Sequence, residues 1–197
     1  MPLARSLFER LRARRQSRRA AFELYAELVR AARRPVFYER YAVADTLDGR
    51  FDLIALHLWL LLDRLAAHGQ GKVLQRALQE VFFADLDRSL RELGVGDLSV
   101  GKRVKRMARA FYGRVKAYEA PAQERDRDAL AAALARNLWR GMPPAENVQR
   151  ALAEHVFEQA AYLARQDDAA LESGKVSFLA PPCETAVAGA PHAELNA

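Results

Sequence analysis

Cysteine is almost missing from this chain: Cys183 stands alone among 197 residues. Without a second thiol there is no internal disulfide, and no CxxC or CxxCH exists to bind a metal or haem. A reducing compartment is the natural expectation, with Cys183 incidental. Long apolar runs are missing too. The best, Leu53 to Leu62, is too short to span a bilayer and is interrupted by His57. The N-terminus, MPLARSLFERLRARRQSRR, has no apolar centre, so it is not read as a secretory signal. Ser17-Arg18-Arg19 is followed by no hydrophobic stretch, which removes a twin-arginine signal. The Arg-rich start fits an organelle transit peptide, a basic helix on a membrane surface, or a solvated first helix.

Catalytic signatures are equally scarce. No histidine has a glutamate three residues before it, and HExxH and GxSxG do not occur. Gly96 to Arg103, GDLSVGKR, nearly spells a phosphate-binding loop. Arg103 replaces the hydroxyl that would hold magnesium, and a helix precedes it where a strand belongs. Asp45-x-x-Asp48 reads as turn and capping chemistry before a divalent-cation site. Asp85 and Asp87 fall on different sides of a helix and make no acid/base pair. His57, on an apolar helix, reads as a hydrogen-bonded core histidine. No catalytic, cofactor or metal residue is therefore assigned.

Glycine (10) and proline (8) are sparse and separate long periodic segments, which predicts an all-α, single-domain bundle of about six helices. The first helix is expected from near Leu3 to Arg34, broken around Gln16 to Arg18 and stopped by Pro35. The second, Arg50 to His68, is apolar nearly all round, which makes it central or covered on one side by a partner. The third spans Lys72 to Leu93, with Gly94 as its left-handed cap. The fourth is ended by Pro121. The fifth runs from about Glu124 to Arg140 and the sixth from Ala145 to Gln166. Val176 to Leu179 is expected to tuck against the body in extended form. Residues 1–21 read as a basic extension, 22–179 as the domain, and 180–197 as a disordered tail.

Charge is unevenly placed within a net +6. Residues 1–40 hold eleven arginines against four glutamates. Between Ser99 and Tyr118 lie Lys102, Arg103, Lys105, Arg106, Arg109, Arg114 and Lys116, with no acidic residue. On the other side of that helix Val100, Val104, Met107, Phe111, Val115 and Tyr118 recur at steps of three and four. Seven like charges repel, so the segment needs solvent and salt or an acidic partner. Such a partner is a phosphate backbone, an anionic membrane surface or an acidic protein face.

Several short motifs occur in order. They are Leu24-Tyr25, Ala32-Arg33 with Pro35 and Phe37-Tyr38, then Asp45-Thr46 with Asp48-Gly49-Arg50-Phe51-Asp52 leading to Leu56-His57. Phe82-Phe83-x-Asp85-x-Asp87, Leu90-Arg91-Glu92, Gly94-Val95-Gly96-Asp97-Leu98 and Ala110-Phe111-Tyr112-Gly113-Arg114 with Tyr118 follow. Over about residues 22 to 165 this pattern resembles the ubiquinol–cytochrome c chaperone family, assembly factors of the respiratory cytochrome bc complex. Two positions depart from it: Gly101 stands where a proline is expected, and Arg109 where an acidic residue is common.

The resemblance implies a non-enzymatic chaperone that binds newly made cytochrome b, together with a small partner protein and the ribosome in mitochondria. It implies no cofactor and no sequence-specific DNA. The expected location is the inner face of the cytoplasmic membrane, in peripheral contact with anionic lipid, or the matrix side in a eukaryote. An apolar groove bordered by the second and fourth helices is the expected client site. Lys102, Arg103, Lys105, Arg106, Arg109 and Arg114 form its expected cationic rim. Asp45, Asp48, Arg50, His57, Asp97 and Tyr112 are motif residues of open role, with capping and interhelix pairing favoured for the aspartates. A nucleic-acid- or ribosome-binding helical module and an all-helical enzyme acting on lipid or quinone stand as alternatives.

Overall fold

The structure, a computed structural model, describes residues 2–67 and 71–182, with the side chains of residues 2–11 not described. His68, Cys183, His192 and all but residues 180–182 of the tail expected over 180–197 lie outside the described residues. Within them every regular element is helical. The order is α1 (Pro2–Ala32), α2 (Val36–Glu39), α3 (Leu47–Ala66), α4 (Gly71–Glu92), α5 (Asp97–Glu124), α6 (Arg127–Asn137), α7 (Glu146–Ala164) and α8 (Asp168–Glu172). The six expected helices are the six long ones, and α2 and α8 are single turns.

Several boundaries differ from expectation, and the fifth expected helix, α6, is about three residues shorter at each end. α1 runs unbroken through Gln16–Arg18, because Ser17 is its only weak helix former there and turns partly inward. α3 begins three residues early, at Leu47, because the Thr46 side chain accepts from the Gly49 amide at 3.1 Å and caps the helix. α5 continues through Pro121 for one more turn and ends at Arg125 in the left-handed region (φ 55°). Proline there removes one amide donor without forcing the chain to turn. Asp126 then caps α6 by accepting from Ala129 at 2.9 Å. At the end of α4, Gly94 takes the expected positive φ of 78°.

The apolar run of α3 explains the architecture. Every residue from Phe51 to Leu61 is buried, and α1, α4, α5 and α7 all pack against this helix. Phe82 of α4 joins four helices: its ring lies 6.3 Å from Tyr25, 6.2 Å from Phe51 and 5.3 Å from Phe111. Trp59 and Tyr118 close the other end of the α3–α5 contact, with ring centroids 5.4 Å apart. Burying such large rings contributes about 2–3 kcal/mol each.

After α8 the chain crosses back as an extended strap, as expected for Val176 to Leu179. Arg34 donates to the carbonyls of Phe178 (3.0 Å) and Leu179. Gln159 accepts from the Leu179 amide at 2.8 Å, and Gln166 both donates to and accepts from the Ser177 backbone. The strap lays Phe178 over His57 at 5.6 Å. It continues to Pro182, whose carbonyl accepts from the Tyr41 hydroxyl at 3.4 Å.

Candidate docking surface

Helix α5 divides its residues as the spacing required. Val100, Phe111 and Tyr118 are buried, Met107 and Val115 are half-buried against the core, and Val104 is half-buried. Lys102, Arg103, Lys105, Arg106, Arg109 and Lys116 are exposed. None of these six has a carboxylate within ion-pair distance among the described residues. Steps of four and three place Leu98, Lys102, Lys105, Arg109, Tyr112 and Lys116 on one outward stripe. Leu98, at the head of this stripe, is 96% exposed, and Leu93 just before it is also exposed. At the far end Tyr112 stands half out of the surface, its hydroxyl donating to Gln79 at 3.3 Å.

Arg114 does not belong to this rim. It sits on the α3 side of α5 with its side chain only 11% exposed. Its Nη2 lies 2.6 Å from Asp52, which is 0% exposed, and its guanidinium lies 5.3 Å from the Phe51 ring. Arg140 reaches the same carboxylate at 3.0 Å and Asp48 at 2.9 Å. Burial raises Asp52 to about 6, against the opposing pull of the two guanidiniums. Asp52 was part of the sequence motif without a role. A lone carboxylate inside FDLIALHLWLLL is the signal that a buried cation must come to meet it.

The other motif residues also resolve into structure. Asp45 pairs with Arg50 at 2.7 Å on the surface, and that guanidinium lowers its pKa. Asp97 pairs with Arg91 across the α4–α5 turn. His57 is buried, donates from Nδ1 to the Leu53 carbonyl at 2.8 Å, and meets the Phe37 ring edge-on at 5.4 Å. Burial lowers it to about 4. His155 of α7 also meets the Phe37 ring, at 6.3 Å, and is lowered to about 4 by burial and by His57.

Among the described residues, no open apolar groove is shown between the second and fourth expected helices, now α3 and α5: Phe51 to Leu61 of α3 are all buried by neighbouring helices. The apolar residues that do reach solvent near the basic rim are Leu93 and Leu98, at the α4–α5 end. Among the described residues, no helix is long and apolar enough to cross a membrane.

Residues 39–178 match the family model described as ubiquinol-cytochrome C chaperone. The match begins later than the resemblance read by eye and takes in the strap. The chain is 28% identical over 145 residues to ubiquinol-cytochrome-c reductase complex assembly factor 1 of Xenopus laevis, covering 73% of this chain and 72% of that one. The human protein of that name is 27% identical over 161 residues, which cover 81% of this chain and 54% of the human one. A crystal structure described as the Cbp3 homolog from Brucella abortus superposes with a TM-score of 0.76 at 37% identity, over 91% of this chain and 97% of that one. With fold and sequence pattern agreeing over the same helices, the chain belongs to the ubiquinol–cytochrome c chaperone family.

Proposed function

We propose that this protein is a non-catalytic assembly factor of the ubiquinol–cytochrome c reductase complex, and that it holds newly made cytochrome b at the membrane face. Its relatives carry the name of such assembly factors. The observation that carries the finer reading is the outward stripe of α5, where a fully exposed leucine heads a row of unpaired cations. An unassembled membrane subunit presents apolar helix ends flanked by polar loops. Leu93 and Leu98 offer an apolar contact, and Lys102, Lys105 and Arg109 hold acidic groups beside it.

This reading puts the client on an open surface at the tip of two helices instead of in an α3–α5 groove. Such a surface suits a client that must be released into a growing complex. Shallow contacts with charged rims favour fast association over long residence.

The test is in-cell photocrosslinking from Leu98, Lys102 and Arg109, followed by identification of the captured protein. Capture of cytochrome b is the expected result. Lys102→Glu, Lys105→Glu and Arg109→Glu together should abolish assembly of the complex while leaving helicity unchanged. Normal assembly by a folded triple variant would overturn the role of this face.

A further inference from the structure

The second basic region of the chain forms a surface of its own, where α1 runs beside the first turns of α4. A cleft of about 960 Å³ opens between them. Arg14, Arg15 and Arg18 line one wall, and Lys72 stands on the other. Glu80, the carboxylate in the lining, is paired with Arg76 at 3.2 Å. The three α1 arginines and Lys72 have no ion-pair partner among the described residues. Ala13 and Ala77 add a small apolar part to the lining.

Two apolar side chains stand in solvent beside these cations. Val73, in the lining of the cleft, is 57% exposed. Phe22 is 58% exposed and follows Arg15 and Arg18 on one stripe of α1, at steps of three and four. Neither residue gains anything from water, and both are next to charge that the fold leaves unneutralised.

We propose that this cleft binds an anionic phospholipid, with the headgroup phosphate between the α1 arginines and Lys72. Val73 and Phe22 enter the adjoining acyl layer. The charge is complementary to a phosphate. The aliphatic lining and lip suit a surface on which anionic headgroups and hydrocarbon lie within a few ångströms of each other. A site for single-stranded RNA would instead interleave its cations with several aromatic faces for the bases, whereas here one aromatic, Phe22, stands beside a cleft whose apolar lining is alanine and valine. The inference rests on the reading that the protein works at a membrane. It concerns a different face from the α5 stripe.

Sedimentation of the purified full-length chain with vesicles tests it. The vesicles are of phosphatidylcholine alone or of phosphatidylcholine with phosphatidylglycerol. Binding is expected only to the second kind, falling as salt rises. Each cation near an anionic surface contributes about fivefold to partitioning, so Arg14→Gln, Arg18→Gln and Lys72→Gln together should weaken binding by roughly a hundredfold. Val73→Asp should weaken it as well. The α5 triple reversal, which disables the proposed client face, should keep most of the vesicle binding. All these positions are exposed, and circular dichroism confirms that each variant is folded.

Equal binding to both kinds of vesicle would overturn the proposal. So would loss of vesicle binding in the α5 variant with retention in the cleft variant. An RNA oligonucleotide that binds the wild type, displaces it from vesicles and is lost by the cleft variant would assign the cleft to RNA instead. The crosslink from Leu98 to cytochrome b is independent of all these outcomes, so the two readings fail separately.

Discussion

Replacing Arg114 with methionine tests whether the motif arginine of α5 serves the interior or the surface. Methionine keeps an unbranched side chain against Phe51 and removes only the guanidinium. Asp52, itself fully buried, then retains only Arg140, whose side chain is 45% exposed. Burial already raises Asp52 from its ordinary 3.8 to about 6, with Arg114 the first of the charges opposing that rise. A carboxyl whose pKa is higher in the folded chain stabilises the fold in its protonated form. That contribution is complete below about 3.8 and is lost as pH climbs through about 6.

In the wild type this group therefore adds little pH dependence above neutrality. In Arg114→Met the folded pKa moves higher, and the loss extends through the neutral range at up to about 1.4 kcal/mol per pH unit. Near pH 8 the variant should be less stable by about 3–5 kcal/mol, the usual cost of leaving one member of a buried pair alone. Near pH 6 the deficit should shrink, because a proton replaces the missing cation. Urea unfolding followed by circular dichroism at several pH values reads both effects. Parallel stability lines for variant and wild type from pH 6 to 8 would refute the assignment. A folded, fully stable variant that fails only in docking would return Arg114 to the surface rim.

Two further outcomes follow from the strap and the histidines. Gly174 has φ 90°, and a Cβ there would come within 3.0 Å of Glu23 Cβ and 3.1 Å of the Ala20 Cα. Gly174→Ala should cost about 1–3 kcal/mol and expose residues 175–182 to limited proteolysis, whereas an unchanged urea midpoint would show that the strap does not depend on this approach. His57 and His155 are both lowered to about 4 from 6.5, chiefly by burial. The unfolded chain takes up protons that these folded rings refuse. Their stabilising contribution is thus full above about 6.5 and is lost as pH falls toward 4, at about 1.4 kcal/mol per pH unit for each ring. His57→Leu with His155→Leu should flatten the decline between pH 6.5 and 4.5, and an unaltered slope would mean that other groups set it.

The sequence was most legible where one segment carried a consistent period. FDLIALHLWLLL is apolar on all sides, and α3 is accordingly wrapped by four helices. The two faces of α5 are as the spacing required. It was least legible where the outcome depended on distant residues. Whether surplus apolar surface on α3 met a partner or its own chain could not be read locally, and here its own helices cover it. Asp52 finds Arg114 sixty-two positions away and Arg140 eighty-eight positions away, so only the isolated carboxylate was visible. Arg114 lay within a run of like residues and took its expected role from that run. Pro121 was read as a stop, although its neighbours continue the helix by a turn. α8 is too short to show a period. Its one signal was Asp167, which caps it by accepting from Ala170 at 2.9 Å.

The distribution of ion pairs separates stabilising charge from docking charge. Helix α4 lies against both α1 and α5. Beyond its first turn its own cations are all paired: Arg76 with Glu80, Arg88 with Asp85, and Arg91 with Asp87 and Asp97. On either neighbour, cations of the same kind stand without partners. Five of them crowd residues 102–109 of α5, and Arg14, Arg15 and Arg18 crowd one stretch of α1. Like charges at helical spacing destabilise a helix by a few tenths of a kcal/mol per pair, and nothing within the described fold offsets that. A chain able to neutralise α4 so completely could have done the same on its flanks. Keeping two bare cationic faces, each beside an exposed apolar side chain, is expected where acidic partners supply the missing charge after folding is complete. Salt should therefore weaken partner binding at both faces while leaving the urea midpoint nearly unchanged, since the exposed pairs contribute little to stability and the Asp52 carboxylate is buried.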